Sequence, residues 1–162
     1  MIACSWSNAS RARGSAHYTA IGLVDDTLRA ALGRGWLVRS QGPLALTDDS
    51  EPEPDVAVTR GTRRHYRDEH PSSPALVIEV AEASLALDRE HKGSLYAQAG
   101  VADYWILNLF DRVLEVYREP RERDPAARFG WRYAWTEVLS SGSSAAPLVA
   151  PGARITVAEL LP

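Results

Sequence analysis

The sequence predicts an α/β (α+β) domain with a mixed central sheet flanked by helices, and three observations carry that prediction. An amphipathic helical pattern opens the chain, a short run of branched apolar residues marks a buried central strand, and a second helix is followed directly by a strand hairpin. With 162 residues, 45% hydrophobic and 24% charged, the chain can bury one sizeable core and is too short to favour two domains. Residues 1–15 are expected to form a flexible N-terminus and residues 16–162 a single domain.

The elements follow in order. From Ala16 to about Leu32, the apolar residues Ile21, Val24, Leu28, Ala31 and Leu32 recur three and four apart, and Gly33 and Gly35 end the helix. His17 falls on the same inward stripe and reads as a hydrogen-bonded core histidine. Trp36 to Leu46 is extended with an interruption at Gly42-Pro43, and Asp48-Asp49-Ser50 turns the chain into a strand from Asp55 to Thr59. A polar loop, Arg60 to Pro74, leads to Ala75–Val80, whose branched apolar residues suit a central strand buried on both faces. Asp88 reads as the N-cap of a helix from Arg89 to Ala99 that Gly100 stops. Tyr104–Leu109 and Arg112–Arg118 form a hairpin across Phe110-Asp111, and a further strand runs from Trp131 to Leu139. Ser140–Ala146 is flexible by composition, and a short strand around Ile155 precedes the tail AELLP.

Composition narrows the function. The net charge of −3 gives no overall field for nucleic acid, so contact with DNA has to come from a local basic patch. The single cysteine, Cys4, excludes an intrachain disulfide and a zinc site built from several thiolates, and suits a reducing compartment. The opening MIACSWSNASRARGS lacks the apolar core of a signal peptide, and no stretch approaches the ~20 apolar residues of a membrane span, so no membrane partner and a cytoplasmic location are expected.

Three charged residues break the apolar pattern. Asp55 follows Pro54 in EPEPDVAVT, Glu79 lies inside ALVIEV, and Lys92 sits on the inner stripe of the following helix. Strand alternation puts Asp55 with Ala57 and Thr59, and Glu79 with Ala75 and Val77, so the two carboxylates converge if their strands are neighbours in a suitable register. Such a pair, with coordination positions left open, suits Mg²⁺ or Mn²⁺. At ~100° per residue, Leu95, Tyr96 and Ala99 fall within about 60° of Lys92, which aims its stem along the sheet-facing stripe. A cation in a first helical turn faces the positive end of the helix, so Lys92 there calls for an anionic partner. Burial and the neighbouring Asp55 should together raise the pKa of Glu79 against the opposing effect of Lys92. The plainer readings are a strand-start Asp55 and a Lys92 that snorkels to water from the helix edge. Arg60, Arg63, Arg64 and Arg67 in the loop after the Asp55 strand read equally as phosphate contacts or as a solvated loop offset by Asp68 and Glu69.

The stretches WLVRSQGPLALTDDSEPEPDVAV, PALVIEVAEASLALDREHKGSLYAQAGVADYWILNL and RVLEVYREP resemble the Uma-type restriction endonucleases of the PD-(D/E)XK nuclease superfamily. In that superfamily a Pro-Asp dipeptide begins one strand and a Glu-x-Lys tripeptide lies on the next; here the tripeptide is Glu79-Val80-Ala81, and the resemblance implies that Lys92 takes the lysine's place. It further implies that Asp55 and Glu79 ligate the metal, that Lys92 is the catalytic water-orienting group, and that Gln41 is a secondary site residue. Relatives carry a further N-terminal segment with an acidic residue in a hairpin, whereas this chain begins almost at the first helix, so that acid and a sheet edge are expected to be missing. Two functions follow: a Mg²⁺- or Mn²⁺-dependent endonuclease acting on DNA, for which a homodimer is one way to cut both strands, or an inactive remnant of the same fold serving as a DNA-binding or interaction module.

Overall fold

The computed structural model describes residues 14–162, and the expectation for the residues before Gly14 lies outside them. Helix α1 (Ser15–Ala31) buries His17, Ala20, Ile21, Val24 and Leu28, the inward stripe of the sequence pattern. Six strands lie side by side in chain order: β1 (Trp36–Ser40), β2 (Val56–Arg60), β3 (Leu76–Ala81), β4 (Asp103–Asn108), β5 (Val113–Glu122) and β6 (Trp131–Ser140). Every neighbouring pair is antiparallel except β3 and β4. A parallel pair needs a long crossover, and here it contains a π-helical segment, Leu87–Lys92, that runs into α2 (Gly93–Gln98).

The two helical layers cover opposite faces of the sheet. On the α1 side Val56, Val58, Leu76, Ile78, Val80, Trp105 and Leu107 join one core. On the α2 side Ala57, Val77, Ala81, Tyr104 and Ile106 join another with Tyr96 and Ala97. Burial on both faces explains why β3 and β4 are buried at every position and read as nearly continuous apolar runs. Any charged group on them therefore needs a specific partner.

The C-terminal expectations change. Ser140–Ala146, flexible by composition, contains β7 (Ser144–Ala145), which pairs with β8 (Ile155–Thr156). Ala145 and Ile155 are buried in the α1-side core, and that burial outweighs the weak strand propensity of the stretch. The tail forms α3 (Val157–Leu160), where the Thr156 N–H donates to Glu159 Oε2 at 2.9 Å in a capping box. At the other end of the sheet, the β5–β6 ladder continues to Glu122↔Trp131 although β4 stops pairing at Asp103↔Arg118. The overhang is a two-stranded arm tied back to α2: Ser94 Oγ donates to the Trp131 carbonyl at 2.7 Å and accepts from the Phe129 N–H at 2.9 Å.

Candidate active site

The β2–β3 register sets Val56 opposite Ile78 and Ala57 opposite Val77. Asp55 immediately precedes β2 at the end where β3 carries Glu79, and Glu79 follows Val77 on the α2 face. Asp55 is fixed by its surroundings: Oδ2 accepts from the Val80 N–H at 2.8 Å, and His17 Nε2 lies 3.4 Å from Oδ1. The inward stripe of α1 thus delivers His17 to a carboxylate. Gln41 borders the same spot, since its N–H donates to the Asp55 carbonyl at 2.9 Å from a left-handed backbone with φ of 51°. Its side chain is exposed.

Glu79 is only 1% exposed and both its oxygens are engaged. Tyr96 donates its hydroxyl to Oε1 at 2.7 Å, and Lys92 Nζ lies 2.9 Å from Oε2. The ammonium is also 2.9 Å from Asp88 Oδ1, so Lys92 bridges two buried carboxylates while its own side chain keeps 28% exposure. Asp88 is not the expected N-cap. The helical turn already starts at Leu85 and the Asp88 N–H bonds to the Ser84 carbonyl, so its carboxylate is free to turn inward, where Ser84 Oγ donates to Oδ2 at 2.5 Å. The widened π turn has a tertiary cause: the Asp88 carbonyl accepts from the Gly93 N–H five residues on and from the Tyr104 hydroxyl at 2.9 Å.

Burial pushes the Glu79 carboxyl up to about 7; Lys92 opposes this, Asp55 and Asp88 add to it, and the Tyr96 hydrogen bond draws it back. Burial alone would lower Lys92, but Glu79 and Asp88 outweigh it and hold the ammonium well above the usual lysine range. Burial, reinforced by Glu79, likewise keeps the Tyr96 phenol protonated as a donor. Lys92 thus pairs with Glu79 and Asp88, and the nearby charges of Asp55 and Asp88 add to burial in favouring a proton on Glu79. A hard divalent cation could replace that proton at Asp55 and Glu79, so the donor set fits Mg²⁺ or Mn²⁺. Among the described residues no three His, Cys, Asp or Glu side chains form a cage able to hold a metal, so water and substrate oxygens would complete the coordination.

The arginine loop is not gathered to these groups. β2 leads away from Asp55, so Arg60 lies about 17 Å along the strand, and the loop leaves from that far end. Arg60 covers the Trp36 ring at 4.7 Å, Arg67 pairs with Asp68 at 2.9 Å, and Arg63 and Arg64 are exposed in a 3₁₀ turn. Sequence reasoning missed the roles of His17 and Asp88. The inward stripe signalled the first, and the i,i+4 spacing to Lys92 signalled the second.

A family model described as Uma2, putative restriction endonuclease, matches residues 8–158. No curated protein matches the chain. Among solved structures, it is similar to a putative nuclease belonging to DUF820 from Anabaena variabilis, with a TM-score of 0.64 and 15% identity over 91% of this chain and 80% of that one. This likeness shows the fold. The match to residues 8–158 takes in every element from α1 to β8 and all of Asp55, Glu79, Asp88 and Lys92, and the chain belongs to the Uma2 family.

Proposed function

We propose that the chain is a Mg²⁺- or Mn²⁺-dependent endonuclease that hydrolyses DNA phosphodiester bonds, with Asp55 and Glu79 as metal ligands and Lys92 as the group that orients the attacking water. The observation that carries this reading is the bridging of Glu79 and Asp88 by Lys92 Nζ at 2.9 Å each, beside a second strand carboxylate. A divalent cation, when bound, supplies Lewis-acid stabilisation of the charge that develops on the phosphate. The chain supplies the rest. Asp88 and Glu79 fix the ammonium so that it needs little reorganisation, and its exposed fraction lets it donate to a water or a phosphate oxygen. Tyr96 holds one Glu79 oxygen and the Val80 N–H holds Asp55, so both ligands are oriented before substrate arrives.

A cytoplasmic location belongs to the same reading and accords with the single cysteine, and cutting both strands calls for two copies related by symmetry. No described helix is long and apolar enough to cross a membrane. The test is cleavage of supercoiled plasmid with Mg²⁺ or Mn²⁺, beside EDTA and an Asp55→Ala control. Metal-dependent nicking that the substitution abolishes supports the reading. Plasmid that is bound yet left intact by wild type and variant alike overturns it in favour of an inactive binding module.

A further inference from the structure

A cleft of about 830 Å³ opens on the other flank of the lysine-bearing helix, between Arg89–Ser94, the β5–β6 strands and the tip of their arm. Its position is tied to the site through the sheet. Glu79 pairs with Ile106 and Ile106 with Glu115, and Glu115 grips Arg89 on the cleft wall at 2.9 and 2.5 Å. Two strand spacings separate Glu79 from Glu115, about 10 Å, or a few nucleotides of backbone.

The lining joins rings to guanidinium groups. Tyr117 and Trp131, both half-buried, contribute aromatic surface, and Tyr133, buried against Tyr104, backs Tyr117 with its centroid 6.1 Å away. Arg132 pairs with Asp124, whereas Arg128, on the exposed tip, makes no ion pair among the described residues. Glu90 is the one acid on the lining. The recess at the far end of the sheet, about 480 Å³, differs: Arg60 already covers its Trp36 ring, so that aromatic face is occupied. Rings beside an uncommitted arginine form the arrangement that stacks a base and holds its phosphate, and the volume lies in the range that encloses a small ligand. A base within a duplex has both faces stacked, so a recess lined with rings receives one only after it leaves the stack.

We propose that this cleft binds an unpaired nucleotide of the substrate strand close to the cleaved bond, with Arg128 on its phosphate. The proposal rests on the nuclease reading for its substrate, and it is tested without catalysis. Anisotropy of a labelled oligothymidylate and of a matched hairpin duplex is measured with the full chain in EDTA. The single strand should bind more tightly, and Arg128→Glu should weaken it about tenfold or more. Thr136→Trp, which fills the cleft from an exposed strand position, should do the same, while the far-loop pair Arg63→Ala/Arg64→Ala leaves single-strand affinity unchanged. Absence of binding, equal affinity for duplex and single strand, or a loss confined to the far-loop pair overturns the cleft. Plasmid cleavage by a wild type whose binding ignores Arg128→Glu overturns the cleft alone; binding through the cleft without any cleavage overturns the nuclease alone.

Discussion

Replacing Glu79 with Gln keeps the size of a buried side chain and an oxygen for the Tyr96 hydroxyl, and removes a proton equilibrium from the core. In the native protein burial lifts this carboxyl from 4.5 to about 7, so the folded state holds the proton more tightly than the unfolded chain does. Its stabilising contribution is fully present below the unfolded value and is lost as pH rises through the folded one. At ~1.4 kcal/mol per pH unit the full span is about 3.4 kcal/mol, of which about 2.5 kcal/mol falls between about pH 5 and 8. Glu79→Gln has no such span. Its loss of charge opposite Lys92 adds an offset that does not vary with the Glu79 titration. Urea unfolding of both proteins in EDTA should therefore show wild type losing about 2.5 kcal/mol relative to the variant between those two pH values. A change below about 1 kcal/mol would refute the buried, proton-holding carboxyl. Mg²⁺ at the higher pH should then restore wild type, because a cation selects the ionised form, and leave the variant where it was.

Lys92→Met retains the apolar stem and removes the charge, so single-turnover cleavage at saturating Mg²⁺ should fall ~10²–10³-fold. Melting curves should also show a loss of about 3 kcal/mol at neutral pH, since Glu79 and Asp88 each lose a partner 2.9 Å away. Tyr96→Phe keeps the ring in the α2-side core and should cost ~1 kcal/mol. Because the hydroxyl favours ionised Glu79, the pH transition between Tyr96→Phe and its Glu79→Gln double variant should lie higher than the one between wild type and Glu79→Gln. Burial pushes Glu115 up, but hydrogen bonds led by that from Arg89 hold it below the usual carboxylate range. Arg89→Ala should thus cost on the order of 1 kcal/mol at neutral pH, since 45% of the Arg89 side chain is in solvent, with the penalty shrinking as pH falls through the folded value; an equal penalty in acid would remove Arg89 as the counter-ion.

The carboxylate pair was legible because β3 is apolar on both faces, so Glu79 stood out against Val77, Ile78 and Val80. Period-two alternation put Glu79 on the face of Val77, which the structure turns toward α2, without any knowledge of which strands pair. Asp88 was misread because an aspartate four residues before a lysine serves a helix start and an inward ion pair equally well; only the tertiary donors Ser84 and Lys92 decide between them. The π turn has no residue signature, since it arises from the Tyr104 hydroxyl, on another strand, meeting the Asp88 carbonyl. The distance of the arginine loop from the site was readable: Asp55 and Arg60 bracket one strand, and five extended residues carry the chain to the opposite end of the sheet. β7 was hidden because Ser and Ala have weak strand propensity and it forms only when Ile155 arrives beside it.

The residue two after Glu79 is an alanine, and packing accounts for the lack of a charged side chain there. Ala81 is two residues after Glu79 on the same face, and it is 1% exposed within the α2-side core that Val77 and Tyr96 share. A lysine there would place its whole stem and ammonium among apolar side chains, with little route to water. From the helix above, Lys92 enters the same carboxylates from the opposite direction and leaves 28% of its side chain in solvent. The ammonium is desolvated enough to grip Glu79 and Asp88, yet open enough for a water or a phosphate oxygen to reach it. Asp88 gives this lysine its second hold. A lysine carried on the helix can be held by a carboxylate one turn earlier on the same helix, so its position relative to Glu79 is set by the crossover segment as well as by β3.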